Sequence, residues 1–369
     1  MHVPPFLLER NQTLYENTVD INLTESGVHP ATIADILPQT RIDELVTLPL
    51  GYGYTDGKPS LRAAIADWHP GAGPDNVLVA NGTSEANLLT LMTLVEPGDE
   101  IIVIVPNFMQ IDGLARTFGA HVRAVALRPE DNWQPDIGAL EAAIGPRTRM
   151  ITLCDPNNPS GIGVSAAHRR ALARLAETHG VWLHVDEIYR GAEIEGDVAA
   201  TSYGLSDRVI VTGGLSKAFG CPGLRIGWLV APPEIVARGH QRQDYTTIGT
   251  GPLQQMLAEA VLTEPTRSRL LARGRTILRS GRDRVAGWLR THNGWSWTPP
   301  DASGMAFMAY DFDMPSETLV TRLRQEESVL VCAGSWFGME GHIRLGFGVD
   351  PAHLEAGLAG IDRFLAGRA

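Results

Sequence analysis

Between residues 75 and 230 the chain alternates short β-branched runs with stretches whose apolar residues recur at helical spacing. The runs at 77–80, 101–105, 122–126, 150–154, 181–185, 209–212 and 226–230 predict seven strands. Leu88, Leu91, Leu94 and Val95 show the helical spacing that fills the gaps. Because the strand runs are continuously apolar rather than alternating, they predict a mostly parallel sheet buried on both faces, an α/β fold. Ligands of such sheets bind beyond the carboxyl ends of the strands, so chemistry is expected in the residues that follow each run. Past residue 252 the pattern changes to one helical stretch over 253–288, then strand-like pieces at 304–310 and 342–347. Residues 1–45 stand outside the alternation. The expected organisation is a large domain at 46–271, with 1–45 and 272–369 forming an N-terminal arm and a smaller α+β domain.

A formal net charge of -11 disfavours a nucleic-acid backbone or an anionic membrane as the main partner. Three cysteines, Cys154, Cys221 and Cys332, lie far apart and form neither a CxxC pair nor a disulfide framework. The 11 histidines include no HExxH spacing, so no metal is expected. No apolar stretch reaches the roughly 18 residues needed to span a bilayer. The opening MHVPPFLLER lacks a basic leader region, which makes the cytoplasm the expected location.

The densest chemistry lies in Gly213-Gly214-Leu215-Ser216-Lys217-Ala218-Phe219-Gly220-Cys221-Pro222-Gly223-Leu224-Arg225. Glycines around a lysine at a strand end permit close approach by a flat ligand, and the Arg225 guanidinium offers a planar fork to a phosphate. Asp186-Glu187-Ile188-Tyr189 follows the run at 181–185, where a carboxylate can pair with a ring N–H. Asp155-Pro156-Asn157-Asn158-Pro159 follows the run at 150–154, and Pro106-Asn107-Phe108 the run at 101–105. Asn81-Gly82-Thr83-Ser84 joins a strand to a helix, and free N–H groups at such a helix start cradle anions. Tyr52, Gly57, Leu61 and Arg62 form a Y-x4-G-x3-L-R pattern, and Ile343-Arg344-Leu345-Gly346 lies near the C-terminus. Taken singly, each of these fragments has a plain structural explanation as a turn, a cap or a solvated charge. Their order along one chain is harder to explain that way.

In that order they resemble the fold-type I, pyridoxal-5′-phosphate (PLP) dependent aminotransferases of classes I and II, over nearly the whole chain. The resemblance implies that Lys217 carries PLP as a Schiff base and acts as base at the substrate α-carbon. It implies that Asp186 pairs with the ring nitrogen, that Tyr189 and Asn158 bond the phenolate oxygen, and that Phe108 stacks on the ring. Gly82, Thr83, Ser84, Ser216 and Arg225 are implied at the phosphate, with Tyr52 reaching it from the second subunit of a homodimer. Gly214 stands where the family usually has a hydroxyl residue. Arg344 is the implied receptor for the α-carboxylate of an amino acid, with Gly27 and Asn158 beside it.

Beyond α-carbon deprotonation two outcomes stay open: transamination with a 2-keto acid, or elimination followed by cyclisation. Ser26-Gly27-Val28-His29 and Asp244-Tyr245-Thr246-Thr247 resemble segments of the capreomycidine synthases, which cyclise a hydroxylated arginine, and this makes His29 a substrate-site candidate. Glu16, Glu25 and Asp244 flank motifs expected at the mouth of the site, where a carboxylate would attract a guanidinium side chain. A dinucleotide-binding α/β protein would instead carry GxGxxG after its first strand, and none stands there.

Overall fold

The computed structural model describes residues 3–367. The arm supplies β1 (Ile21–Asn22). The large sheet holds β2 (Val77–Ala80), β3 (Glu100–Val105), β4 (His121–Ala126), β5 (Thr148–Cys154), β6 (Trp182–Asp186), β7 (Val209–Gly214) and β8 (Gly227–Val230). A second sheet follows with β9 (Trp295–Trp297), β10 (Met305–Tyr310), β12 (Cys332–Ala333) and β13 (His342–Gly346), while β11 (Val329–Leu330) pairs in parallel with β1. The large sheet runs β2-β8-β7-β6-β5-β3-β4, and only β8 lies antiparallel to its neighbours.

Every residue of β2, β7 and β8 is buried, as the unbroken apolar runs require. Leu78, Ile101, Val103, Met150, Ile210 and Leu229 face the helices Thr83–Leu94, Gln110–Thr117 and Pro233–Gln243. The opposite face, with Val79, Ile102, Ile151, Leu183 and Val211, packs on Pro59–Trp68, Ala166–His179 and Pro252–Leu262. The edge strand β4 departs from the expected burial, since no residue of it is fully buried. Its sequence HVRAVA interleaves polar positions, and Arg123 reaches Glu100 on β3 at 2.8 Å.

The helix expected over 253–288 is two helices, Pro252–Leu262 and Thr266–Leu289. Pro265 lacks an N–H and disfavours helical backbone in the residue before it, and Thr263 is already extended. Asp186 closes β6 instead of following it. Among the described residues no helix is long and apolar enough to cross a membrane.

The arm begins with the helix Leu7–Tyr15 and then runs as a strap between the two sheets. Leu23 accepts from Gly346 N–H on β13 at 2.7 Å, and Ser26 accepts from Gly304 N–H at 2.9 Å. On its other side Val28 N–H donates to the Lys217 carbonyl at 3.3 Å, and Ala31 N–H to that of Gly220 at 2.7 Å. The backbones lie so close that a Cβ on Gly346 would stand 2.0 Å from the Glu25 carbonyl. Only glycine fits there.

Candidate active site

A cavity of about 440 Å³ opens where the strap crosses the carboxyl ends of β5, β6 and β7. Its floor is Asp186, 7% exposed at the end of β6. Asn87, one turn into the helix Thr83–Leu94, donates to Asp186 Oδ2 at 3.0 Å, and Ile188 N–H to Oδ1 at 3.1 Å. Burial raises the Asp186 carboxyl to about 6, against the lowering effect of those donors. Both donors are neutral, so the carboxylate charge is left for a partner within the cavity. Beside it Tyr189, also buried, shares a hydrogen bond of 2.8 Å with Ser26 of the strap, and burial raises its phenol.

Thr83 and Ser84 line the cavity at the start of their helix, whose first turn has no side-chain cap among the described residues. Free N–H groups at a helix start are an anion site. The Arg225 guanidinium packs against Gly82, where a Cβ would come within 2.4 Å of Nη2. Gly214 has a similar cause: a Cβ there would sit 2.5 Å from Thr83 Oγ1. The space that a hydroxyl residue at 214 would need is therefore filled by the Thr83 side chain, which donates to the Gly213 carbonyl at 2.9 Å. Ser216 and Arg225 complete this end of the cavity.

Lys217, half-buried on the wall, places Nζ 3.1 Å from Glu25 Oε2. The lysine charge is the main reason that the Glu25 carboxyl lies below its ordinary range. Arg344, projecting from β13, is 2% exposed. Its Nη1 donates to Asn158 Oδ1 at 2.9 Å and Nη2 to the Thr24 carbonyl at 2.7 Å, while Nε is buried without a partner. A buried guanidinium with an unused donor beside a cavity suits a carboxylate ligand. Phe108 lines the wall against Phe6 of the arm, ring centroids 4.9 Å apart. The arm also brings Glu9 and Glu16 to this cavity, and burial raises the Glu9 carboxyl.

The remaining candidates lie elsewhere. Gly27 does not line the cavity but abuts Lys217, whose Cα would be 3.0 Å from a Cβ at that position. His29 is exposed outside it, its N–H on the Gly348 carbonyl at 2.6 Å and its carbonyl receiving Arg273 at 2.8 Å. Asp244 is exposed and absent from the lining. Tyr52 is 77% exposed and away from the cavity of its own chain. Conversely, Asn87, Gln110 and Glu9 line the cavity but stand out in no sequence motif. A signal for Asn87 was present, since it follows Thr83 by one helical turn and so shares its face.

A lysine on the wall, a buried acid on the floor, a helix-start anion cradle with Arg225 and a stacking phenylalanine together fit PLP, whose aldehyde, ring nitrogen, phosphate and flat ring they match in kind. The class is that of the PLP-dependent enzymes. The family model described as aminotransferase class I and II matches residues 48–361, and the chain belongs to that family. It is 35% identical to capreomycidine synthase of Streptomyces vinaceus, over 93% of this chain and 89% of that protein. It is 31% identical to arginine–pyruvate transaminase AruH of Pseudomonas aeruginosa, over 85% and 82% of the two chains. Among solved structures, the PLP-dependent cyclase OrfR superposes with a TM-score of 0.90 at 29% identity, covering 100% of this chain and 99% of that one.

Proposed function

We propose that this enzyme transaminates an amino acid with a cationic side chain, using PLP held on Lys217. The observation that carries the proposal is the convergence on one cavity of Lys217, Asp186 and Arg344, with the carboxylates of Glu9, Glu16 and Glu25 around them. When bound, PLP supplies the electron sink for charge that develops at the α-carbon. Asp186 holds a proton on the ring nitrogen by opposite charge. Tyr189 and Asn158 hydrogen-bond the phenolate oxygen, Phe108 covers the ring, and the N–H groups of Thr83 and Ser84 bind the phosphate with Ser216 and Arg225. Arg344 anchors the substrate carboxylate, and Lys217 Nζ removes and returns the proton at the α-carbon. With PLP bound, Lys217 would be drawn to the cofactor and away from Glu25, which would leave that carboxylate to receive a cation from the substrate.

Elimination followed by cyclisation on a hydroxylated arginine is the second reading, favoured by the relation to capreomycidine synthase and the OrfR cyclase. One experiment tests both. The enzyme is mixed with arginine, hydroxyarginine, and neutral and acidic amino acids, while the cofactor spectrum is followed and products are weighed by mass spectrometry. A 2-keto acid with the cofactor left in its amine form establishes transamination, and a cyclic product with the cofactor unchanged establishes the second reading. If only neutral or acidic amino acids change the spectrum, the cationic substrate class is wrong.

A second copy of the chain completes the site in this proposal. Tyr52, Leu50, Tyr54 and Tyr245 are each more than half exposed, and the Tyr54 carbonyl receives Gln255 at 2.9 Å, which joins the 52–58 segment to the start of the helix Pro252–Leu262. Exposed large apolar side chains gathered at 50–54 support an interface, from which Tyr52 reaches the partner's phosphate end.

A further inference from the structure

Beneath the cavity floor the three central strands each place a polar side chain within an apolar run: Thr152 on β5, His184 on β6 and Thr212 on β7. The strand register sets Thr152 beside His184 and Thr212 beside Asp186. Side chains two apart on a strand share a face, so His184 points the same way as Asp186. The helix Thr83–Leu94 lowers Asn87 onto that face. A continuous chain results: Thr152 Oγ1 to His184 Nδ1 at 2.8 Å, His184 Nε2 to Thr212 Oγ1 at 3.0 Å, Thr212 Oγ1 to Asn87 Oδ1 at 2.7 Å, and Asn87 Nδ2 to Asp186 Oδ2 at 3.0 Å. None of Thr152, His184, Thr212 and Asn87 is more than 2% exposed.

The direction of every link follows from its two ends. Gln110 Nε2 donates to the Ser84 carbonyl, so Gln110 turns Oε1 toward Asn87 Nδ2 at 3.1 Å. The Asn87 amide nitrogen thus serves two oxygens, Gln110 Oε1 and Asp186 Oδ2, and its own oxygen must face Thr212. The Thr212 hydroxyl spends its proton on Asn87 and can only accept from His184, which places the imidazole proton on Nε2. Nδ1 is then a lone pair that accepts from Thr152. Burial lowers the imidazole to about 3, in keeping with this neutral form.

We propose that His184 is a positioning residue for Asp186: acting through Thr212 and Asn87, it keeps an N–H directed at the carboxylate and so favours its ionised form. With the relay cut, the Asn87 amide is held only from the Gln110 side, and each turn of its oxygen toward Asp186 sets two acceptors face to face, which favours the neutral acid. A buried polar chain through an apolar layer is worthwhile only when every member is satisfied, and here each link is made. The ionisable groups that face Asp186 are Cys154 on β5 and Tyr189 after β6, with Lys217 and Arg225 on the same cavity. All four are retained in the variants below. The significance for the cofactor rests on the proposed pairing of Asp186 with its ring nitrogen, but the relay itself can be measured without cofactor.

The test compares His184→Leu, Thr212→Val and His184→Gln with the wild type. Infrared difference titration, referenced to Asp186→Asn, follows the Asp186 carboxyl in the cofactor-free protein, and the ¹⁵N shift of ring-labelled PLP reports the ring proton in the holoenzyme. His184→Leu and Thr212→Val are expected to raise the Asp186 midpoint by about one pH unit, an order of magnitude in its ionisation equilibrium. His184→Gln, whose amide can donate to Thr212 and accept from Thr152, is expected to restore the wild-type midpoint. Wild-type titration in folded His184→Leu overturns the proposal. If that variant does not fold, Thr212→Val, which exchanges a hydroxyl for a methyl, decides in the same way. An unprotonated ring nitrogen in the wild-type holoenzyme would remove the Asp186 pairing instead, leaving the cofactor-free titration to decide the relay.

Discussion

The floor and the arm-side wall of the cavity are built on different principles. On the floor Asp186, Asn87, Asn158 and Tyr189 are each at most 7% exposed, held by strand ends and by hydrogen bonds to neighbouring elements. On the wall the Glu25 side chain is 50% exposed, Glu9 projects from a helix of nine residues near the chain start, and Glu16 follows the end of that helix. A group that must hold a charge in one place is fixed by packing, whereas groups that only choose among side chains can stay in reach of water. The consequence is that damage to the floor should abolish chemistry, and damage to the wall should redirect it.

The largest effect should come from the lysine between the two regions. Lys217→Ala is expected to lower turnover by about four orders of magnitude, the upper range for loss of a positioned acid–base group. Borohydride reduction of the wild type should leave a pyridoxyl group on the Lys217 peptide, and finding it on another lysine would overturn the site.

Next comes Asp186→Asn, which should keep PLP but slow exchange of the substrate α-hydrogen with solvent by about two to three orders of magnitude, as expected for a buried charge pair with one partner removed. Its pH dependence sharpens the contrast. With a carboxyl raised to about 6, Asp186 is charged above that pH and neutral below it. The form that attracts a protonated ring is therefore lost as pH falls from 7 to 5. Over that interval the PLP affinity of cofactor-free wild type, divided by that of Asp186→Asn, should fall about tenfold. The phosphate titrates identically in both proteins and cancels in the ratio.

On the wall, Glu25→Gln should leave turnover of neutral amino acids unchanged. The KM for arginine should rise about 10- to 100-fold, the range for one charge-assisted hydrogen bond. Equal losses for both substrates would show that Glu25 serves the floor. The smallest signal is expected from mixing Tyr52→Ala with Lys217→Ala chains. Random reassortment makes half the dimers mixed, each with one site free of both lesions, so about a quarter of wild-type activity should return. A fully active monomer would exclude a shared site.

The floor was more legible in the sequence than the wall. Lys217, Asp186 and Asn158 each stand at or just past the end of a buried apolar run, and the fold rule that puts ligands at strand ends places them in the cavity. Gln110 was not legible, and Asn87 only through its spacing from Thr83, because their contacts depend on which helix face lies over which strand. Thr152, His184 and Thr212 were visible as polar interruptions of apolar runs, a signal that takes on meaning only once the strand register aligns them. His29 shows the opposite failure: a motif resemblance drew attention to a side chain that lies outside the cavity, while the local interactions are made by its backbone. The break before the helix Thr266–Leu289 was announced by Pro265 and masked by apolar spacing that continues on either side.

The strap is joined to its surroundings by main-chain hydrogen bonds, Val28 to the Lys217 carbonyl and Leu23 to β13, with Gly346 allowing the close approach. None of these bonds uses the side chain of Glu9, Glu16 or Glu25. Mutation can therefore rewrite Glu9, Glu16 or Glu25 without breaking the main-chain bonds of the segment that passes behind Lys217. If the proposed function holds, these three carboxylates are a replaceable selector mounted on a fixed engine, and a lineage could change diet by single substitutions at positions where folding exerts little veto.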